Sequence, residues 1–197
     1  MASVKNEQMF AALEKETGKK IQQAVKQGEG KNLVAQTIAR EQFEKYFAES
    51  GDMAADGSKI ARRILLGAFR AAEKLEWSLE KAIVPLAQGL MAGIYKNCHD
   101  YTESSIVLIK AAIQSSTLVT DEVVPLGTKV LQTIIEGGEE VEADMPDLLK
   151  KVTRAATKAA KGAPKKEMKD LENILMGLLE GKCSLRADGV VWKKKTK

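Results

Sequence analysis

A chain of 197 residues in which 44% of side chains are hydrophobic but 5% aromatic must build its core from Leu, Ile, Val, Ala and Met. It lacks the aromatic and β-branched alternation that β-rich folds need. Two cysteines exclude a disulfide framework, one histidine leaves no metal-ligand spacing, and no run reaches the ~18 apolar residues of a membrane-spanning helix. The net charge of +4 is unevenly spread: residues 1–60 hold nine basic and nine acidic side chains, residues 61–144 eight and twelve, and residues 145–197 fourteen and six.

Residues 1–20 are charged throughout, with no apolar stretch of signal-peptide length, so a cytoplasmic protein is expected. Residues 6–16 and 19–27 are helix-like, and Gly28 to Gly30 reads as a break. A stronger amphipathic helix over 33–48 carries Leu33, Ile38, Phe43, Tyr46 and Phe47. Residues 50–58, rich in Gly, Asp and Ala, form a loop. The whole section 1–58 reads as an N-terminal helical cap.

From Ala61 the chain aligns with itself in blocks of 22 residues, beginning at Ala61, Ile83, Ser105, Gly127 and Leu149. The fourth position of each block is aliphatic: Ile64, Leu86, Leu108, Val130 and Val152. The eighth, one helical turn later, holds Ala68, Leu90, Ala112, Ile134 and Ala156, so each block is a helix with an apolar seam. The seventh and eleventh positions are small and share one face: Gly67 with Ala71, Gly89 with Gly93, Ala111 with Ser115, Thr133 with Gly137, and Ala155 with Ala159. Small residues at this spacing let two helix backbones approach closely. We assign these ten residues to helix packing and self-association.

Turns are expected at residues 96–101, 115–120 and 137–144, with Gly137 and Gly138 supplying a left-handed C-cap and Thr102, Thr120 and Asp144 as N-caps. Pro125 and Pro146 suit helix starts. Pro85 fits early in a helix that begins near Leu79, or marks a kink if that helix runs on from Trp77. Helices of this length joined by short loops fold back on one another. The expected fold is therefore all-α: antiparallel helical hairpins from about five 22-residue repeats over 59–161, with N- and C-terminal capping helices. The C-terminal helix lies within 162–180, where Leu171, Ile174, Leu175, Leu178 and Leu179 line one side and Gly181 ends it. In the basic tail 181–197, Asp188-Gly189 between Ser184-Leu185 and Val190-Val191-Trp192 suits a small hairpin, with a frayed tail as the alternative.

Lys150, Arg154, Lys158, Lys161 and Lys165 follow one another at helical spacing, forming a basic stripe if the helix persists through them. Such a stripe can neutralise phosphates without reading bases. Trp192 with Lys193, Lys194 and Lys195 sets an aromatic beside positive charge, which suits both a membrane interface and nucleic-acid stacking. The competing reading of both is a solvated face, with Trp192 packed on the body. The adjacent Cys98-His99 pair does not make a nucleophile and base, since neighbours in a chain rarely point at each other. No P-loop, glycine-rich phosphate loop or calcium loop is present. No catalytic residue, cofactor or metal is assigned.

The segments LLGAFRAAEKL, LAQGLMAGIYK and VLQTIIEGGEEV make residues 61–161 resemble an uncharacterised bacterial family of tandem 22-residue helical repeats, with Ser115, Thr133 and Ala155 standing where such repeats favour glycine. That resemblance implies no known chemistry. In size and helicity the chain also resembles phasins, small helical proteins that coat storage-polymer granules, a likeness of composition alone. The expectation is a non-enzymatic repeat protein that self-associates as a structural or scaffolding component and forms a homo-oligomer. The alternatives are a phasin-like coat on a granule or membrane surface, and nonspecific nucleic-acid binding through the basic C-terminal region. A small-molecule pocket between helices stays open.

Overall fold

A computed structural model describes residues 2–50, 52, 56–186 and 189–193, with side chains from residue 7 onward. It is all-α apart from one short hairpin. The helices are α1 (Ala2–Lys26), α2 (Lys31–Ser50), α3 (Ser58–Lys74), α4 (Leu79–Cys98), α5 (Tyr101–Val119), α6 (Val123–Glu140), α7 (Met145–Ala159) and α8 (Lys165–Leu179). A 3-10 turn (Ala160–Gly162) separates the last two, and strands β1 (Cys183–Arg186) and β2 (Gly189–Trp192) follow.

The 22-residue register coincides with the helices at a constant phase. Blocks two to five each begin on the fifth residue of a helix, α4 to α7, and the first begins on the fourth residue of α3. The seam positions Ile64, Leu86, Leu108, Val130 and Val152 are all buried, as are Ala68, Leu90, Ala112, Ile134 and Ala156. Burying each of the larger aliphatic side chains contributes about 1.5–3 kcal/mol relative to exposure. The sixteenth position of each block, Glu76, Cys98, Thr120, Glu142 and Pro164, falls at a helix boundary every time.

Packing follows a rule that the repeat alone does not state. Most helices lie chiefly against the helix two places along the chain: α1 on α3, α3 on α5, α5 on α7 and α2 on α4, whereas α6 packs on α5 as well as α4, and α8 on α7 as well as α6. Odd-numbered helices thus form one layer and even-numbered helices a second, with the apolar seams between them. This is the arrangement of stacked helix pairs in an α-solenoid. Helices α3, α5 and α7 of one layer start at Ser58, Tyr101 and Met145. Consecutive helices fold back: Lys31 Nζ at the start of α2 donates to the Leu75 carbonyl at the end of α3, and Tyr101 Oη at the start of α5 donates to the Ile134 carbonyl late in α6. Alternate helices run together, with Gln36, Arg40 and Glu44 of α2 meeting Gly89, Gly93 and Lys96 of α4 in order.

Several expected boundaries shift. Residues 6–26 lie in one helix, α1, with no break near Gly18. The turn expected at 115–120 lies at 120–122, because α5 runs on to Val119 while the Ser115 and Ser116 hydroxyls donate to the Ala111 and Ala112 carbonyls of their own helix. Lys96 to Cys98 are likewise helical. Gly137 and Gly138 do not cap α6; they lie inside it, and the left-handed residue is Glu142 (φ 55°). There the Ala143 and Glu142 amides donate back to the Gly138 and Glu139 carbonyls. The end of α3 repeats this motif, with Glu76 (φ 49°) left-handed and the buried Trp77 closing it.

N-caps fall on Ser78, Asp100 and Asp144, each contributing about 1 kcal/mol. Asp144 is as expected. Asp100 replaces Thr102, and Thr120 accepts from the Glu122 amide without capping α6. Pro85 sits inside α4, which begins at Leu79. At the C-terminus β1 and β2 pair antiparallel, with Ser184 opposite Val191. The hairpin lies across α8 at Gly177, where an added Cβ would come within 2.7 Å of the Trp192 ring.

Candidate anion-binding groove

Gly18 and Gly67 set the geometry of a groove between α1 and α3. A Cβ on Gly67 would lie 2.1 Å from the Glu14 carbonyl oxygen, and one on Gly18 would lie 2.8 Å from the Gly67 carbonyl oxygen, so α1 and α3 touch backbone to backbone. Two helices this close leave a trough along their seam, and its walls are the side chains one turn away on either side. Ala11, Glu14, Lys15, Gly18, Lys19 and Gln22 come from α1, and Arg63, Gly67, Arg70 and Lys74 from α3, enclosing about 680 Å³.

Five of these side chains are basic and one is acidic. Glu14 is 7% exposed and is held by both arginines. Arg63 Nη1 donates to its Oε2 at 2.8 Å and Arg70 Nη1 to its Oε1. One carboxylate therefore draws together two guanidinium groups that stand two helical turns apart on α3. Each guanidinium has five N–H donors and spends one on Glu14, so both keep donors for a second anion. Lys15, Lys19 and Lys74 are exposed and paired with no acid among the described residues.

The neighbouring acid on α1 is already satisfied. Burial alone would raise the Glu16 carboxyl, but hydrogen bonds from Tyr46, Lys20 and Lys45 outweigh it and hold its pKa at about 2. Burial, then the bond to Glu16, push the Tyr46 hydroxyl up to about 12. Glu16 faces α2 and leaves the groove charge untouched.

The ten small residues fall into three environments. Gly67 meets α1, Gly89 lies 2.1 Å (from an added Cβ) from the Gln36 carbonyl oxygen of α2, and Gly93 packs on Arg40 and Phe43 of α2. Ala71 and Ala111 are buried, and Ser115 Oγ donates to the Arg62 carbonyl of α3 as well as to its own helix. Thr133 and Gly137 line a shallow recess between α4 and α6, where Tyr101 Oη closes on Gly137. Ala155 is buried and Ala159 half-buried. Gly67, Gly89, Gly93, Ser115 and Gly137 each pack closely on a neighbouring helix.

The basic stripe is interrupted. Lys150, Arg154 and Lys158 lie exposed along α7, but Lys161 falls in the 3-10 turn and Lys165 opens α8 beyond Pro164, because Gly162 and Pro164 end the helix between them. Lys151 pairs with Asp147 at 2.8 Å, and that hydrogen bond raises its pKa. Trp192 rests one ring edge on Gly177 and leaves about half its surface exposed. Lys193 follows it, whereas Lys194 and Lys195 lie outside the described residues. Cys98 ends α4 and His99 turns away as its left-handed cap.

The groove residues Glu14, Lys15, Lys19, Arg63, Arg70 and Lys74 were not singled out by their sequence pattern. A signal exists in α3, where Arg63, Arg70 and Lys74 share a face with Gly67 of the small-residue column. Nothing in the order of the chain couples that face to α1, since α2 intervenes. The chain matches no family model, and no curated protein matches it.

Proposed function

We propose that this protein is a non-enzymatic helical scaffold that holds an extended polyanion, the backbone of a nucleic acid, against its odd-numbered layer. One observation carries the reading: charge segregates by layer. Counting α1 from residue 7, the odd helices bear fourteen basic and six acidic side chains, net +8, and the even helices nine and ten, net −1. Of the six acids on the basic layer, Glu14, Glu16 and Asp147 are engaged in ion pairs with cations. A surface of one sign attracts an oppositely charged polymer, and each cation that neutralises a phosphate releases a counterion, giving salt-sensitive binding indifferent to base sequence.

The other readings draw less support. Of the small residues, Gly67, Ala71, Gly89, Gly93, Ala111, Ser115 and Ala155 are buried within the chain, and Thr133, Gly137 and Ala159 are half-buried. A coat on an apolar granule needs a contiguous apolar face. The exposed large apolar side chains Leu33, Tyr95, Leu118, Val141, Met176, Leu179 and Trp192 are spread over six segments, and only Met176 and Leu179 of α8, with Trp192 beside them, gather in one place.

The reading is tested by duplex binding against salt. With about six phosphates engaged, affinity falls by about three orders of magnitude between about 50 and 200 mM salt, at a log–log slope near −0.9 per contact. Replacing Lys150, Arg154 and Lys158 with Gln is expected to flatten that slope without loss of helix content by circular dichroism. Absence of duplex binding at low salt, with sedimentation on anionic vesicles, would favour the surface-coat reading instead.

A further inference from the structure

We infer that the groove between α1 and α3 is a phosphate-binding track for a nucleic-acid duplex; this rests on the polyanion reading and places its principal contact outside the basic C-terminal quarter. The groove extends from Ala11 to Gln22 on α1 and from Arg63 to Lys74 on α3. At 1.5 Å per residue that is about 16 Å, the length of about five stacked nucleotides.

Its charge is arranged for more than one phosphate. Arg63 and Arg70 are gathered at Glu14, Lys15 and Lys19 stand along the α1 wall, and Lys74 closes the far end. The floor is Gly18 and Gly67, which keep the trough free of side chains between the cations. No aromatic residue lines it, so bases have nothing to stack on. Contact is with the backbone, and a duplex that offers phosphates from outside suits the groove better than a single strand that must thread bases into it.

The test measures binding of a labelled duplex of about 20 base pairs across about 25–200 mM salt. Three proteins are compared: the wild type, a groove variant carrying Lys19→Gln, Arg70→Gln and Lys74→Gln, and an α7 variant carrying Lys150→Gln, Arg154→Gln and Lys158→Gln. All six positions are exposed and Arg63 still pairs with Glu14 in the groove variant, so the fold should persist at reduced stability, and circular dichroism checks that it does. The groove variant is expected to lower the slope by about 2.7, nearly one per lost contact. Inorganic phosphate at a concentration that leaves ionic strength matched should not displace the duplex.

An unchanged slope in the groove variant, with the α7 variant flattened, overturns the groove assignment and leaves the layer reading standing. Displacement by inorganic phosphate marks a compact-anion site and overturns the duplex assignment. Failure of the wild type to bind duplex at low salt overturns both, and binding of the wild type to phosphatidylserine vesicles in that case identifies a lipid headgroup as the anion.

Discussion

At the scale of single residues, glycines in one chain play opposite energetic parts. An Ala at Gly89 must place its Cβ 2.1 Å from the Gln36 carbonyl oxygen, which belongs to another helix backbone and cannot rotate away. The α2 and α4 axes would have to separate. Gly89→Ala is expected to cost about 3 kcal/mol despite the helix propensity it gains. At Gly127 the nearest atom to an added Cβ is Leu171 Cδ1 at 3.5 Å, an ordinary contact. Gly127→Ala is expected to stabilise by about 0.5–1 kcal/mol, the helix propensity recovered. Urea denaturation of the two variants checks this, and a pair of shifts of the same sign would contradict it.

Between elements, the tie of α1 to α2 depends on Glu16, which accepts from Tyr46 at 2.8 Å and from Lys45 and Lys20 at 3.2 and 3.1 Å. Its folded pKa of about 2 lies below the ordinary 4.5. A group depressed in the folded state stabilises it fully above the unfolded pKa and loses that contribution as pH falls through the folded one. Denaturation midpoints of the wild type and Glu16→Gln should therefore differ most above about pH 4.5 and converge as pH approaches about 2. A constant gap across that range would show that the carboxylate charge contributes nothing to this tie. The helix ends are set differently, by backbone geometry: Glu76 and Glu142 adopt left-handed conformations that glycine would take more cheaply, which places Schellman closures at the same position three blocks apart.

For the whole molecule, two layers built from alternate helices give two faces with different charge. The basic layer, net +8, is the face on which the proposed polyanion would lie, and the close contacts within and between layers hold the helices together. Gly93 packs on Arg40 and Phe43 of the same chain, so Gly93→Leu is expected to lower the melting temperature, by about 1–3 kcal/mol of stability, and to leave the mass in solution unchanged. Light scattering beside thermal denaturation decides it. Dissociation of an oligomer at an unaltered melting temperature would return the small-residue face to self-association.

The local pattern was legible without a structure. Seams at the fourth and eighth positions, small pairs at the seventh and eleventh, the start of α4 at Leu79 and the Asp144 cap are consequences of helical periodicity and turn chemistry, which act over a few residues. Charge along the chain pointed to the C-terminal quarter, and the stripe from Lys150 to Lys165 assumed a helix that Gly162 and Pro164 interrupt. Which helix lies beside which depends on contacts between segments separated by an intervening helix. Those pairings follow from how whole seams and small faces fit together, and periodicity within one helix carries no information about them. Only tertiary packing brought Glu14 of α1 between Arg63 and Arg70 of α3, and sorted fourteen basic side chains onto one layer.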